Sequence, residues 1–128
     1  MPVLNEAIRK KIPLKINLVK SKNKLVYPAR DFVHIQDFLN IILKTIKKNI
    51  SGFNIMNVGN GKLIYLDKII NIFEEKMSKK ISYKKKLNSI GNYNYTLSNN
   101  LKLRKVLKYN FQFNLKDIIK SCIKKKII

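Results

Sequence analysis

Two stretches decide the fold: residues 29–37, Ala29-Arg30-Asp31-Phe32-Val33-His34-Ile35-Gln36-Asp37, and residues 53–61, Phe53-Asn54-Ile55-Met56-Asn57-Val58-Gly59-Asn60-Gly61. Asp31-Phe32-Val33-His34-Ile35 is a short, largely apolar run and reads as a strand. From Asp37 to Lys48 the period changes. Phe38, Ile41, Ile42 and Ile46 recur at three- and four-residue spacing, which predicts a helix with an apolar face. Asp37 stands where a carboxylate favours the helix dipole, and Lys47 and Lys48 close the other end. Ser51-Gly52 makes a turn and residues 53–58 read as a second strand. Gly59-Asn60-Gly61 then turns the chain into another helix, with Leu66, Ile69, Ile70, Phe73 and Met77 facing inward.

Outward from this centre the same alternation continues. Residues 2–11 predict a helix with Val3, Leu4, Ala7 and Ile8 on one face, ended by Pro13, which cannot continue it. Residues 14–19 alternate like a strand, residues 20–24 form a polar loop, and Pro28 interrupts the next extended run. Ile81-Ser82-Tyr83 reads as a brief strand, and a loop rich in Gly, Asn and Tyr runs from Asn88 to Tyr95. Ser98 is placed to cap a helix through Leu107. Asn114 caps a last helix whose Leu115, Ile118, Ile119, Cys122 and Ile123 form one stripe, which makes Cys122 a core residue. Helices and strands alternating at this spacing mean an α/β chain.

With 128 residues the chain suits one domain. It carries 28 Lys and Arg against 7 Asp and Glu, a net charge of +21, which raises a basic nucleic-acid-binding module as an alternative. The composition offers another cause. There are 25 Lys, 20 Ile and 16 Asn but only 2 Ala and 3 Arg, the pattern of A/T-rich codons. Readers of phosphate and base edges favour Arg's fixed fork over Lys. No apolar run reaches membrane-spanning length and the first residues lack a secretory pattern, so the expectation is a cytoplasmic chain. One His and one Cys exclude multi-histidine and cysteine-based metal sites, and no metal is expected. Gly59-x-Gly61 opens like a dinucleotide fingerprint, but Ile64 holds the place of the third glycine. Composition and spacing alone identify no active site.

Resemblance says more. Residues 29–37 resemble the "R-D-F-hydrophobic-H/Y-V-x-D" strand-to-helix signature of the extended short-chain dehydrogenase/reductases, the nucleotide-sugar epimerases and dehydratases. Residues 53–61 are similar to that family's "Y/F-N-hydrophobic-G-x-G" strand and turn, one helix further on. Gly91-Asn92 falls where the family has "R-R-x-G-D", and residues 98–107 where it has "A-D-x-S-K-A-x-x-x-L-G-W", with Lys102, Leu107 and Tyr109 at the matching offsets. Residues 115–123 match the terminal helix. Asp31, Phe32, Asp37, Asn57, Gly59 and Gly61 are the structural residues of these motifs, Asp37 as the acid that opens its helix.

The resemblance implies a C-terminal fragment of a Rossmann-type enzyme: the last sheet strand plus the small substrate-binding subdomain. Residues 1–128 would be a single partial domain without the cofactor-binding half. Family members transfer a hydride with NAD or NADP, using a Tyr-x-x-x-Lys pair for the proton. None of the six tyrosines here is followed by Lys four positions on, so no catalytic residue is assigned and no cofactor is expected to bind this part alone. The resemblance makes the chain the nucleotide-sugar-binding portion of a sugar epimerase, dehydratase or reductase, truncated or split and not catalytic alone. Its partners would be the nucleotide-sugar and a separately encoded cofactor-binding half, in a family that is often homodimeric. Arg30 matches the arginine that reaches the diphosphate. The second such arginine is missing: Asn88, Ser89 and Ile90 stand there, leaving Asn88 and the nearby Lys86 as weaker candidates. Asn92 and Asn99 replace family aspartates, and residues 24–28 replace a "D-G" turn.

Overall fold

A computed structural model describes residues 6–7, 10–87 and 93–124. Six strands and four helices are present among them: β1 (Leu14–Ser21), β2 (Lys24–Val26), β3 (Ala29–Asp31), α1 (Ile35–Lys48), β4 (Leu63–Tyr65), α2 (Leu66–Met77), β5 (Tyr83–Leu87), β6 (Tyr95–Thr96), α3 (Leu101–Leu107) and α4 (Leu115–Lys124). Of the helix expected over residues 2–11, Glu6, Ala7 and Lys10 are helical and the remaining positions up to residue 9 lie outside the described residues.

The strands form two three-stranded sheets, ordered β2-β1-β5 and β4-β3-β6. In the first, β1 and β2 make a hairpin whose two-residue turn, Lys22-Asn23, takes φ of 43° and 63°. Both positive values suit the right-handed twist of the flanking strands. β5 lies parallel to β1, with Ile16 opposite Lys85. In the second sheet, β3 pairs antiparallel with β4 and parallel with β6, so that Arg30 stands between Ile64 and Thr96.

Two apolar clusters hold these layers. The larger joins β1, α2 and α4 through Ile16, Ile69, Phe73 and Ile119, with Cys122 packed at its margin. Burying a side chain such as Phe73 contributes about 1.5–3 kcal/mol. The smaller joins α1 and α3 through Ile41, Leu103, Leu107 and Tyr109, with Met56 and Val58 against it. No helix among the described residues is long and apolar enough to cross a membrane.

Several boundaries differ from the sequence reading, each for a physical reason. β3 covers Ala29–Asp31 instead of 31–35, because β4 and β6 pair only with those three residues. Helix α1 starts two residues early: His34 is its N-cap, its Nδ1 accepting the N–H of Gln36 at 3.1 Å while its ring stacks on Phe113 at 4.2 Å. Residues 53–58, read as a strand, have no regular secondary structure and pair with no strand among the described residues. The strand near residue 81 begins at Tyr83 and runs to Leu87, set by its register with β1. Asn100, not Ser98, precedes α3, and its side chain faces the Gly59 turn instead of capping the helix.

Candidate functional site

The residues of the two motif stretches meet around β3. Asp31 ends that strand, and its carboxylate gathers three backbone donors: the N–H groups of Asn60 at 2.9 Å, Gly61 at 2.9 Å and Ser98 at 3.2 Å. It thereby ties the turn after residues 53–58 to the loop before α3. Gly59 is buried here and cannot be replaced without movement, since a Cβ would lie 2.1 Å from the Ser98 Cβ and 2.6 Å from the Asp31 Oδ2. Gly61 takes φ of +75°, which favours glycine, and sits beside the Asn100 side chain. Asn57 donates to the Asn99 carbonyl at 3.3 Å. A shallow groove of about 390 Å³ runs between Asp31, Val58, Gly59 and residues 96–99.

This geometry answers whether the Gly59 turn holds a dinucleotide. Backbone N–H groups of a glycine-rich turn bind pyrophosphate when they point at it unpaired. Here the Asn60 and Gly61 N–H groups point at Asp31, and a carboxylate on those donors repels a phosphate. The turn does not fit NAD(P).

A second node holds the start of α1. Asp37 is fully buried; its Oδ1 accepts from the Tyr109 hydroxyl at 2.8 Å and the Gln112 N–H at 3.0 Å, its Oδ2 from the Phe113 N–H at 3.2 Å. The expectation that Asp37 opens its helix as a cap is therefore corrected. It occupies the first turn and fastens residues 109–113 to α1, while His34 does the capping. Burial, reinforced by the hydrogen bond to Asp37, raises the Tyr109 pKa.

Arg30, the diphosphate candidate, is half-buried on the central strand of its sheet. Its Nη1 donates to the Ala29 carbonyl at 2.7 Å and to the Tyr93 carbonyl at 3.3 Å. Asp31 and Asp37, which could have neutralised it, are committed to backbone and phenol donors, and no carboxylate among the described residues pairs with Arg30. A guanidinium held by carbonyls and lacking a counter-ion can still present a planar fork to a phosphate. Phe32 is half-buried against the larger core. Lys86 is exposed on β5, in the other sheet, in register with Asn17. Asn88, with Ser89, Ile90, Gly91 and Asn92, lies outside the described residues.

Sequence reasoning missed the buried Asn100. It donates to the Gly59 carbonyl at 2.6 Å and accepts from Arg104 Nε at 3.1 Å, while Arg104 Nη2 reaches the Asn60 carbonyl at 3.4 Å. It also missed the Asp37–Tyr109 bond. Both join residues some 40 to 70 positions apart, and local pattern carries no such signal. Among the described residues, no group of three His, Cys, Asp or Glu side chains is arranged to hold a metal.

No protein-family model matches the chain. No curated protein matches it either. Solved structures do. UDP-glucose 4-epimerase from Bifidobacterium longum, in complex with NAD+ and UDP, superposes with a TM-score of 0.79 at 18% identity, over 93% of this chain and 36% of its own. The UDP-Glc/GlcNAc 4-epimerase of Campylobacter jejuni gives 0.80 at 20% identity, over 94% and 37%. UDP-glucuronic acid 4-epimerase from Bacillus cereus, in complex with UDP-glucuronic acid and NAD, gives 0.78 at 18% identity, over 92% and 36%. The chain thus spans little more than a third of the length of these enzymes, and it has the fold of their C-terminal portion.

Proposed function

We propose that the chain is the nucleotide-sugar-binding portion of an NAD-dependent sugar epimerase or a related dehydratase or reductase, with Arg30 as the guanidinium that takes the substrate diphosphate. The observation that carries this reading is Arg30 itself. It stands at the position the motif assigns to a phosphate ligand, on a strand locked by Asp31, with no carboxylate among the described residues to neutralise it. The fold shared with epimerases whose structures hold UDP or UDP-sugars supports it. Binding is this portion's part of the reaction, in the cytoplasm. Hydride transfer and the proton-moving Tyr-x-x-x-Lys pair belong to a cofactor-binding portion. Lys86 adds at most a point charge.

Calorimetric titration of the protein with UDP-glucose, UDP-glucuronic acid and UDP tests the reading. Charge-assisted hydrogen bonds of this kind contribute about 1.5–3 kcal/mol, so Arg30→Ala should weaken binding roughly ten- to a hundredfold. Arg30→Lys should recover only part of it, because an ammonium lacks the fork. Equal affinities for wild type and Arg30→Ala remove Arg30 from the site, and no binding of any of the three ligands overturns the function.

A further inference from the structure

Asn60-Gly61 is the one Asn-Gly pair in the sequence. Asparagine is a thermally labile residue, and its side-chain amide is lost when the backbone nitrogen of the next residue attacks it. A glycine leaves that nitrogen least obstructed, because it has no Cβ. In balance, the Gly61 nitrogen bonds to the Asn60 Cγ, the Cγ–Nδ2 bond breaks, and ammonia leaves with the Gly61 proton. Water then opens the succinimide ring at either carbonyl, giving aspartate or isoaspartate. Asn60 is half-buried and lines a groove with Lys62 and Asn114, so water has access to it.

The fold holds this pair in a form that resists the reaction. The Gly61 N–H points at Asp31 Oδ2 at 2.9 Å, and the Asn60 N–H at Oδ1 of the same carboxylate at 2.9 Å. Taking the proton from Gly61 would leave an amide anion facing a carboxylate, and a like charge at that range disfavours the charged form. The lone pair so exposed lies along the former N–H, aimed at Asp31 and not at the Asn60 Cγ. We propose that Asn60 is a self-modification site held closed by Asp31: the chain deamidates there when the turn at residues 59–61 leaves that carboxylate. The change is one-way. Aspartate at position 60 sets a second negative charge beside Asp31. Isoaspartate adds a methylene to the main chain between the two N–H groups that the carboxylate holds. Either product hinders the turn from reseating and loosens the Asp31 end of β3, the strand that carries Arg30. The inference stands on this junction and is independent of the substrate reading.

The test incubates the 128-residue chain at mildly alkaline pH, once folded and once in guanidinium chloride. Deamidation is followed by peptide mapping in a mass spectrometer, and isoaspartate by methylation with an isoaspartate-specific methyltransferase. In denaturant Asn60 should react fastest of the 16 asparagines. Folding should slow it at least about tenfold, since reaction then waits on local opening of the turn. Asp31→Asn removes the charge that faces Gly61 and should speed Asn60 deamidation in the folded chain at least about fivefold. Ile119→Val, placed in the larger core, should stay within about twofold of wild type. The isoaspartate form, separated by ion exchange, should melt at a lower temperature than the unmodified chain. Another asparagine reacting first in denaturant, equal rates folded and unfolded, Asp31→Asn no faster than Ile119→Val, or an unchanged melting temperature overturns the proposal. The comparison of folded with denatured wild type needs no variant, so it decides the matter even where Asp31→Asn fails to fold.

Discussion

Asp31 shows how one carboxylate can replace several ladder bonds. It accepts from Asn60, Gly61 and Ser98, residues 29 to 67 positions away, and so closes the junction between a turn, a strand and a loop. An amide in its place keeps one acceptor oxygen and turns an NH2 toward backbone donors. Asp31→Asn should therefore cost about 1–3 kcal/mol in urea denaturation, with the midpoint lowered and the slope unchanged. Gly59 is tested at the same junction. Its fault as alanine is purely steric, and Gly59→Ala should cost about 1–3 kcal/mol. Adding Ser98→Gly removes the atom 2.1 Å away but not the Asp31 oxygen at 2.6 Å, so the double variant should recover part of the loss and no more. The glycine was legible in sequence as a turn. That it is also where Ser98 presses against the turn was not, because nothing near residue 59 announces residue 98.

At the scale of elements, long periodic segments were readable and short ones were not. The period of α2 specified Ile69, Ile70 and Phe73 as core residues, and they are buried. β3, β4 and β6 have three, three and two residues, and their limits are set by pairing partners elsewhere in the chain. The run 53–58 has the alternation of a strand but lacks a partner among the described residues. The strand read there is not formed, because alternation alone does not make a strand without a partner edge. The joint between α1 and residues 109–113 gives a pH-dependent test. Tyr109→Phe removes one of three donors to the buried Asp37 and should cost about 0.5–1.5 kcal/mol near neutrality, measured by urea melts. Because the folded-state pKa of Tyr109 is raised, its contribution is complete below the ordinary tyrosine value of about 10 and is lost as pH climbs through the raised one. The gap between wild type and Tyr109→Phe should hold constant from pH 6 to 9 and narrow above pH 10.

At the scale of the molecule the excess charge becomes a stability problem. Exposed lysines occur on β1, β2, β5 and all four helices. Few acids are left to offset them. Asp31 and Asp37 are committed to internal donors, and the ion pairs among the described residues are Lys10–Glu6 and Lys80–Glu74. Glu74 has its pKa lowered, first by the Ile81 N–H it accepts and then by Lys80. Its stabilising effect is therefore present above the unfolded-state value and is lost as pH falls through the lowered one. Net repulsion is screened by salt, with a Debye length of about 10 Å at 0.1 M and 30 Å at 0.01 M. We predict that the melting temperature rises with NaCl between 0.01 and 0.3 M, and rises more steeply at pH 4, where carboxylates begin to protonate, than at pH 7. The same titration separates self-repulsion from a nucleic-acid function. A polyanion-binding surface would hold single-stranded RNA at 0.15 M salt with a steep log-log salt slope. Lysines that serve no polyanion should bind it only weakly at low salt, while the proposed UDP-sugar affinity, if it rests on the one guanidinium of Arg30, should change by less than about tenfold across the range.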